Sequence, residues 1–212
     1  KIFNDIKNDI DMIGISVDSG DDLINKEIGR CSRIHKDNEP THLECVRRVA
    51  NMCKQNNVYL KLNTVICREN LHDNSIFNLV NEIQPKRWKV FRVLKIDNEN
   101  GIQKDERDPY NGFITDIEWN NWKKECQEKC SVSPQFENND DMLTSYLMVD
   151  EAGYLLDSSS GSKIRRKCLL ESEFNDIMRD TGFDENKFFN RGGNFKICQT
   201  PDIEDIGEVF AK

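Results

Sequence analysis

The feature that most constrains this chain is a strict two-residue alternation between Pro85 and Leu94. Arg87, Lys89, Phe91 and Val93 project to one side of an extended backbone, and Trp88, Val90, Arg92 and Leu94 to the other. Alternation of this kind, rich in Trp, Val and Phe, specifies a β-strand. Two neighbouring cations on one face, Arg87 and Lys89, fit either a solvated sheet face or a site for an anion. A second strand repeats the pattern: from Val58 to Ile66, Lys61 and Asn63 share one face while Leu60 and Leu62 share the other. If the two strands are parallel neighbours, Lys61, Asn63, Arg87 and Lys89 converge on one space. Three cations and an amide suit a polyanion such as a triphosphate, held by charge-assisted hydrogen bonds.

The segments around these strands set the fold class. Residues 2–11 carry Ile2, Phe3, Ile6 and Ile10 at helical spacing. Met12 to Val17 is a short apolar run, as a strand buried on both faces would be. Asp18-Ser19-Gly20-Asp21 ends it with turn chemistry, which puts Ser16, Asp18 and Ser19 at the carboxyl end of a parallel strand, where α/β enzymes keep their sites. Residues 20–38 read as polar connection. Pro40 opens a helix burying Leu43, Val46, Val49, Ala50 and Cys53, stopped at Asn56-Asn57. Asn74 caps a helix with Ile76, Leu79, Val80 and Ile83 inward, ended by Pro85. The order β-α-β-α-β argues for right-handed parallel units.

Residues 96–115 read as a long loop. Thr115 or Asp116 then caps a helix carrying Trp119, Trp122 and Cys126. After Pro134 the style changes: Ser145 to Val149 reads as a strand, Asp150 to Gly153 as a turn, and Tyr154 to Leu156 as its hairpin return. Phe174, Ile177 and Met178 mark a helix closed by Gly182. Arg191-Gly192-Gly193 fits either backbone amides close to an anion or a helix C-cap.

Chemistry classes narrow from composition. A formal charge of −8 disfavours nonspecific nucleic-acid binding, so an anion site has to be a local cluster. The chain has no apolar run of membrane-spanning length and no signal peptide. It opens on Lys1, as a fragment or processed form would. None of the eight cysteines forms a CxxC pair, and we read them as free thiols of a reducing compartment. Cys126 and Cys130 lie one helical turn apart, but two thiols fall short of a structural zinc site. His35, His42 and His72 lack ligand spacing and read as surface residues.

Seven patches then occur in order: Ile15 to Ser19, Ile28-Gly29-Arg30, Lys61 to Ile66, Arg87 to Phe91, Ser145-Tyr146-Leu147, Gly182 to Glu185, and Arg191-Gly192-Gly193. Together they resemble the viperin-like radical S-adenosylmethionine nucleotide dehydratases, over nearly the whole chain. The resemblance implies an α/β fold. Residues 1–133 would form the later part of a radical S-adenosylmethionine partial (β/α) barrel. Residues 134–212 would form a carboxyl-terminal α+β extension closing over the nucleotide. It implies an antiviral lyase that uses a 4Fe–4S cluster and S-adenosylmethionine to convert a nucleoside triphosphate, CTP first, to its 3′-deoxy-3′,4′-didehydro analogue. An electron donor and iron–sulfur assembly proteins would be its partners.

Residue by residue, the resemblance gives Ser16 and Arg30 to S-adenosylmethionine, and Lys61, Asn63, Arg87 and Lys89 to the nucleotide. It gives Lys163, Arg191, Gly192 and Gly193 to a phosphate clamp, and Tyr146 to the return of a hydrogen atom to the sugar. An ordinary strand aromatic is the other reading of Tyr146. The family's CxxxCxxC cluster motif does not occur; Cys126 and Cys130 supply only its first spacing. The expectation is therefore a piece of such an enzyme without metal ligands of its own, inactive alone, or else a catalytically inactive nucleotide-binding or scaffold relative. A cytoplasmic location is expected, on the endoplasmic reticulum and lipid droplets if the parent carries the animal-type amino-terminal helix.

Overall fold

The computed structural model describes residues 9–30, 39–93, 112–157, 159–160, 163–171 and 173–193. Most of the helix expected over 2–11, most of the 96–115 loop, and Cys31, His35 and Cys198 lie outside them.

Four strands run parallel in chain order: β1 (Met12–Ser16), β2 (Tyr59–Ile66), β3 (Arg87–Arg92) and β4 (Pro134–Glu137). Between them come α1 (Asp22–Glu27), α2 (His42–Gln55), α3 (Ser75–Ile83) and α4 (Asp116–Lys129). β2 alternates without exception between half-buried and buried residues. Its buried side, Leu60, Leu62, Thr64 and Ile66, lies away from Lys61 and Asn63. Leu62, Ile66, Trp88 and Val90 pack in one core with Val46, Ile76, Leu79, Val80, Trp119 and Trp122 of the helices. Trp122 Nε1 is buried in that core without a hydrogen-bond partner among the described residues, while Trp88 and Thr64 are paired. Trp88 Nε1 donates to Thr64 Oγ1 at 3.0 Å, and Thr64 Oγ1 donates to the Val17 carbonyl at 2.8 Å. One hydroxyl thus links the first three strands.

Helix starts follow local chemistry. Thr41 and Thr115 each form a capping box, with Glu44 and Glu118 respectively. Asn74 makes no side-chain cap bond; Asp73 Oδ1 instead accepts from the Ser75 amide at 2.8 Å. The expected polar connection over 20–38 contains α1, capped by Asp21. That helix exists to bury Asn25, whose Oδ1 accepts from the Asp18 and Ser19 amides and whose Nδ2 donates to the Ser19 and Asp21 carbonyls.

The second sheet is antiparallel, in the order β5 (Met148–Val149), β6 (Tyr154–Asp157), β7 (Ile164–Cys168). Short helices α5 (Asn139–Met142), α6 (Phe174–Arg179) and α7 (Glu185–Asn190) accompany it. The strand expected over Ser145–Val149 shrinks to its last two residues. Ser145 donates its hydroxyl to the Asp141 carbonyl at 2.6 Å and its amide to the Met142 carbonyl, so it closes α5 instead. Tyr146 therefore stands on a loop. Among the described residues the parallel strands form an open sheet rather than a closed barrel.

Candidate anion-binding site

The face of the parallel sheet opposite the helices is polar. Ser16, Asn63, Lys89 and Gln135 are register partners across all four strands. Gly14, Lys61 and Arg87 form the next row. In a parallel ladder register partners share a side, so Lys61, Asn63, Arg87 and Lys89 project together. Asn63 Oδ1 is buried there without a hydrogen-bond partner.

β4 brings two residues that sequence reasoning missed. Gln135 Oε1 accepts from Arg87 Nη2 at 2.9 Å, and Gln135 Nε2 donates to the Arg191 carbonyl. Glu137 is fully buried. It is bonded to Lys89 Nζ through Oε1 and accepts the Tyr146 hydroxyl through Oε2 at 2.7 Å. The Arg191 guanidinium reaches Glu137 Oε1 at 3.7 Å, lies 3.6 Å from the centre of the Tyr146 ring, and donates to the Ser145 carbonyl through Nε and Nη2. The signal for β4 was faint: four residues opening on Pro134, with polar Gln135 and Glu137 alternating around Phe136.

The 191–193 turn resolves one open alternative. The Gly192 and Gly193 amides donate to the Phe189 and Phe188 carbonyls and close α7. Their amides cap a helix, and the turn presents carbonyls to the sheet; Gly192 O accepts from Arg87 Nη2. Gly192 has φ +71°, and a Cβ there would stand 2.0 Å from Gln135 Nε2, so any other residue would be strained and would displace the Gln135 side chain that holds the turn. Lys163 stands exposed ahead of β7.

Charge is unbalanced at this face: Lys61, Arg87, Lys89 and Arg191 surround one carboxylate, Glu137. The lysines register it. Burial, then Arg87, pushes the Lys61 ammonium below its ordinary range, with Arg191 acting in the same direction. Burial also lowers Lys89, against the pull of Glu137. Tyr146 is pushed up by burial and then by Glu137. At the carboxyl end of β1, buried Asp18 accepts from Arg30 Nε at 2.7 Å and from the Val65 amide at 2.8 Å, which orients the guanidinium.

Over 186 residues, 88% of its length, the chain is 32% identical to the S-adenosylmethionine-dependent nucleotide dehydratases of Siniperca chuatsi and Oncorhynchus mykiss, covering 50% and 51% of those proteins. It is 33% identical over 184 residues to the S-adenosylmethionine-dependent nucleotide dehydratase of Lacinutrix mariniflava, covering 36% of it. The chain is a homologue of the S-adenosylmethionine-dependent nucleotide dehydratases. It spans about half the length of the curated relatives it matches, in their carboxyl-terminal part. No protein-family model matches it.

Two groups that the resemblance implies can be set against the described residues. Ser16, beside Asn63, and Arg30, a third exposed and oriented by Asp18, fit the polar end of S-adenosylmethionine. For a 4Fe–4S cluster, no group of three His, Cys, Asp or Glu that could hold a metal ion occurs among the described residues. Cys126 is buried under Trp119 and Trp122, and its hydrogen bond to Cys130 and its burial both raise its thiol pKa. The six described cysteines are free thiols. Among the described residues no helix is long and apolar enough to cross a membrane.

Proposed function

We propose that the polar sheet face binds the phosphates of a nucleoside triphosphate, CTP first, and that in the complete protein this serves its dehydration to the 3′-deoxy-3′,4′-didehydro analogue. The supporting observation is the convergence of Lys61, Arg87, Lys89 and Arg191 around the buried carboxylate of Glu137 among the described residues. That leaves an excess of three positive charges by simple count, in a partly desolvated setting where charge-assisted hydrogen bonds are strongest. Lys61 and Arg87 are assigned to phosphate oxygens and Asn63 to a donor on the nucleotide. Arg191 is assigned to closure over the phosphates, and Tyr146 to the sugar, where the resemblance gives it the return of a hydrogen atom.

Ser16 and Arg30 would hold the amino-acid end of S-adenosylmethionine, which when bound supplies the radical chemistry of the family. The four parallel strands are read as the later strands of the family's partial barrel. What this chain's own residues do is bind and orient.

The test is calorimetric titration of the chain with CTP, UTP and GTP at low and moderate salt. We expect binding that weakens with salt, CTP tightest, and a loss of about ten- to a hundredfold in Lys61→Met, the range for a hydrogen bond to a charged group. A chain that binds none of the three, or a Lys61→Met variant that binds as well as the parent, would overturn the reading. Didehydro-nucleotide formation by the complete protein tests the reaction separately.

A further inference from the structure

We infer that Glu137 is a positioning residue that holds Arg191 and Tyr146 of the carboxyl-terminal segment over the cationic face of the parallel sheet. The inference rests on the nucleotide reading above.

The geometry is specific. Glu137 ends β4, an edge strand of the sheet as described, yet its side chain is wholly buried. A carboxylate is costly to bury and persists only where its oxygens are saturated by donors. Here its partners come from three separate places in the chain: Lys89 on β3 and Tyr146 on the loop after α5 donate hydrogen bonds, and Arg191 at the end of α7 adds an ion pair at 3.7 Å. Only Lys89 belongs to the sheet. The other two reach it across 9 and 54 residues of sequence respectively (146 minus 137, 191 minus 137). Tyr146 and Arg191 also stack on each other, so one carboxylate fixes both. Gln135, two residues earlier on the same face, secures the backbone of the same turn through the Arg191 carbonyl. β4 is thus the seam on which the two parts of the molecule meet, and Glu137 is the charged anchor of that seam.

This assigns a cost that charge alone would not. Glu137 is an anion inside a site for anions. On electrostatics, removing its charge should hold or tighten phosphate binding. If its work is to place Arg191, removing it should weaken binding, and only while Arg191 is there to be placed.

The experiment is a double-mutant cycle on the full chain, titrated with CTP. Glu137→Gln is expected to weaken binding at least fivefold in the parent background. In the Arg191→Ala background it should weaken binding less than twofold. Hydrogen exchange of the amides at 188–193 should speed up in Glu137→Gln without nucleotide present. Should Glu137→Gln fail to fold, Glu137→Asp keeps the charge and shortens the reach, and the same pattern is expected from it. Equal weakening in both backgrounds would make Glu137 a merely structural residue and overturn the inference. So would unchanged or tighter binding in the parent background. If the parent binds no CTP, the nucleotide reading falls and takes the inference with it. If the parent binds, Lys61→Met weakens it and Glu137 shows no coupling to Arg191, the inference alone falls.

Discussion

A strand of each sheet carries a buried carboxylate paired with a cation, and the two pairs differ in what surrounds them. In the parallel sheet Glu137 and Lys89 are both buried, with side chains 0% and 4% exposed. In the antiparallel sheet Asp157 is nearly as buried at 6%, but its partner Arg166 is 43% exposed and water shares its charge. Asp157 completes its shell locally, accepting the Ser159 amide at 2.8 Å, whereas Glu137 draws on Lys89 and Arg191, both far away in sequence, as well as on Tyr146. The first pair is therefore a tertiary contact and the second a local brace. The cores agree. Helices cover one face of the parallel sheet, while β6 and β7 leave Ile164, Leu169 and Leu170 exposed around buried Leu155 and Ile177.

Substitution can break this contrast. The largest effect is expected from Lys89→Met, which removes the hydrogen-bonded cation of buried Glu137 and leaves it only the longer contact to Arg191. Denaturant unfolding should show a loss of about 3–5 kcal/mol, and a loss below about 1 kcal/mol would show that water reaches Glu137. Next comes a matched pair of truncations. Leu62→Ala, under the helices, should cost about 4 kcal/mol, and Leu155→Ala in the thinner sheet about 2 kcal/mol, the upper and lower parts of the usual range. Equal costs would erase the distinction between the two cores. Arg166→Met should cost less than about 1 kcal/mol, as exposed ion pairs do, and urea midpoints will resolve it from Lys89→Met.

Two pH effects are smaller. Lys61 has its folded-state pKa lowered, so its ammonium loses its proton at a lower pH than a free lysine would. Bound phosphate favours the ammonium. CTP affinity should therefore be full below the lowered value and fall as pH rises through it, with proton uptake on binding across that window, readable as a buffer-dependent heat. At Glu118 the Thr115 amide, then Arg68, holds the carboxylate at about 2. Because this pKa is depressed, its share of the α4 cap is present above the ordinary glutamate value, about 4.3, and is lost as pH falls towards 2. Circular dichroism at 222 nm should show slight fraying over that interval.

The parallel part was legible because its strands are long. Eight residues of β2 and six of β3 repeat their alternation often enough to declare which residues share a face, and the register did the rest. β4 was not legible, since a four-residue strand opening on proline carries too little pattern. Glu137 was invisible for another reason: a carboxylate in polar company reads as surface, and only the arrival of Tyr146 and Arg191 buries it. Tyr146 was expected on a strand because Tyr, Leu and Val follow one another there. The hydroxyl of Ser145 competed successfully for the end of α5. At 191–193 both readings of the glycine turn concerned its amides, and these close α7. The sequence held no sign that the arginine side chain and the turn's carbonyls would be what meets the sheet.

The three tryptophans of the chain, Trp88, Trp119 and Trp122, all belong to one aromatic cluster on the helix side of the parallel sheet, with Trp119 and Trp122 ring centres 6.1 Å apart and their planes nearly parallel. Tryptophan emission, excited selectively over tyrosine, therefore samples one half of the molecule and is silent about the other. A fluorescence melt will follow loss of the parallel core while β5 to β7 unfold unseen. Trp88 also lies between Arg87 and Lys89 on the same strand, its ring on the reverse side of the cationic face. A ligand settling on that face would shift the emission through the thickness of a single strand, giving an optical titration that needs no added dye.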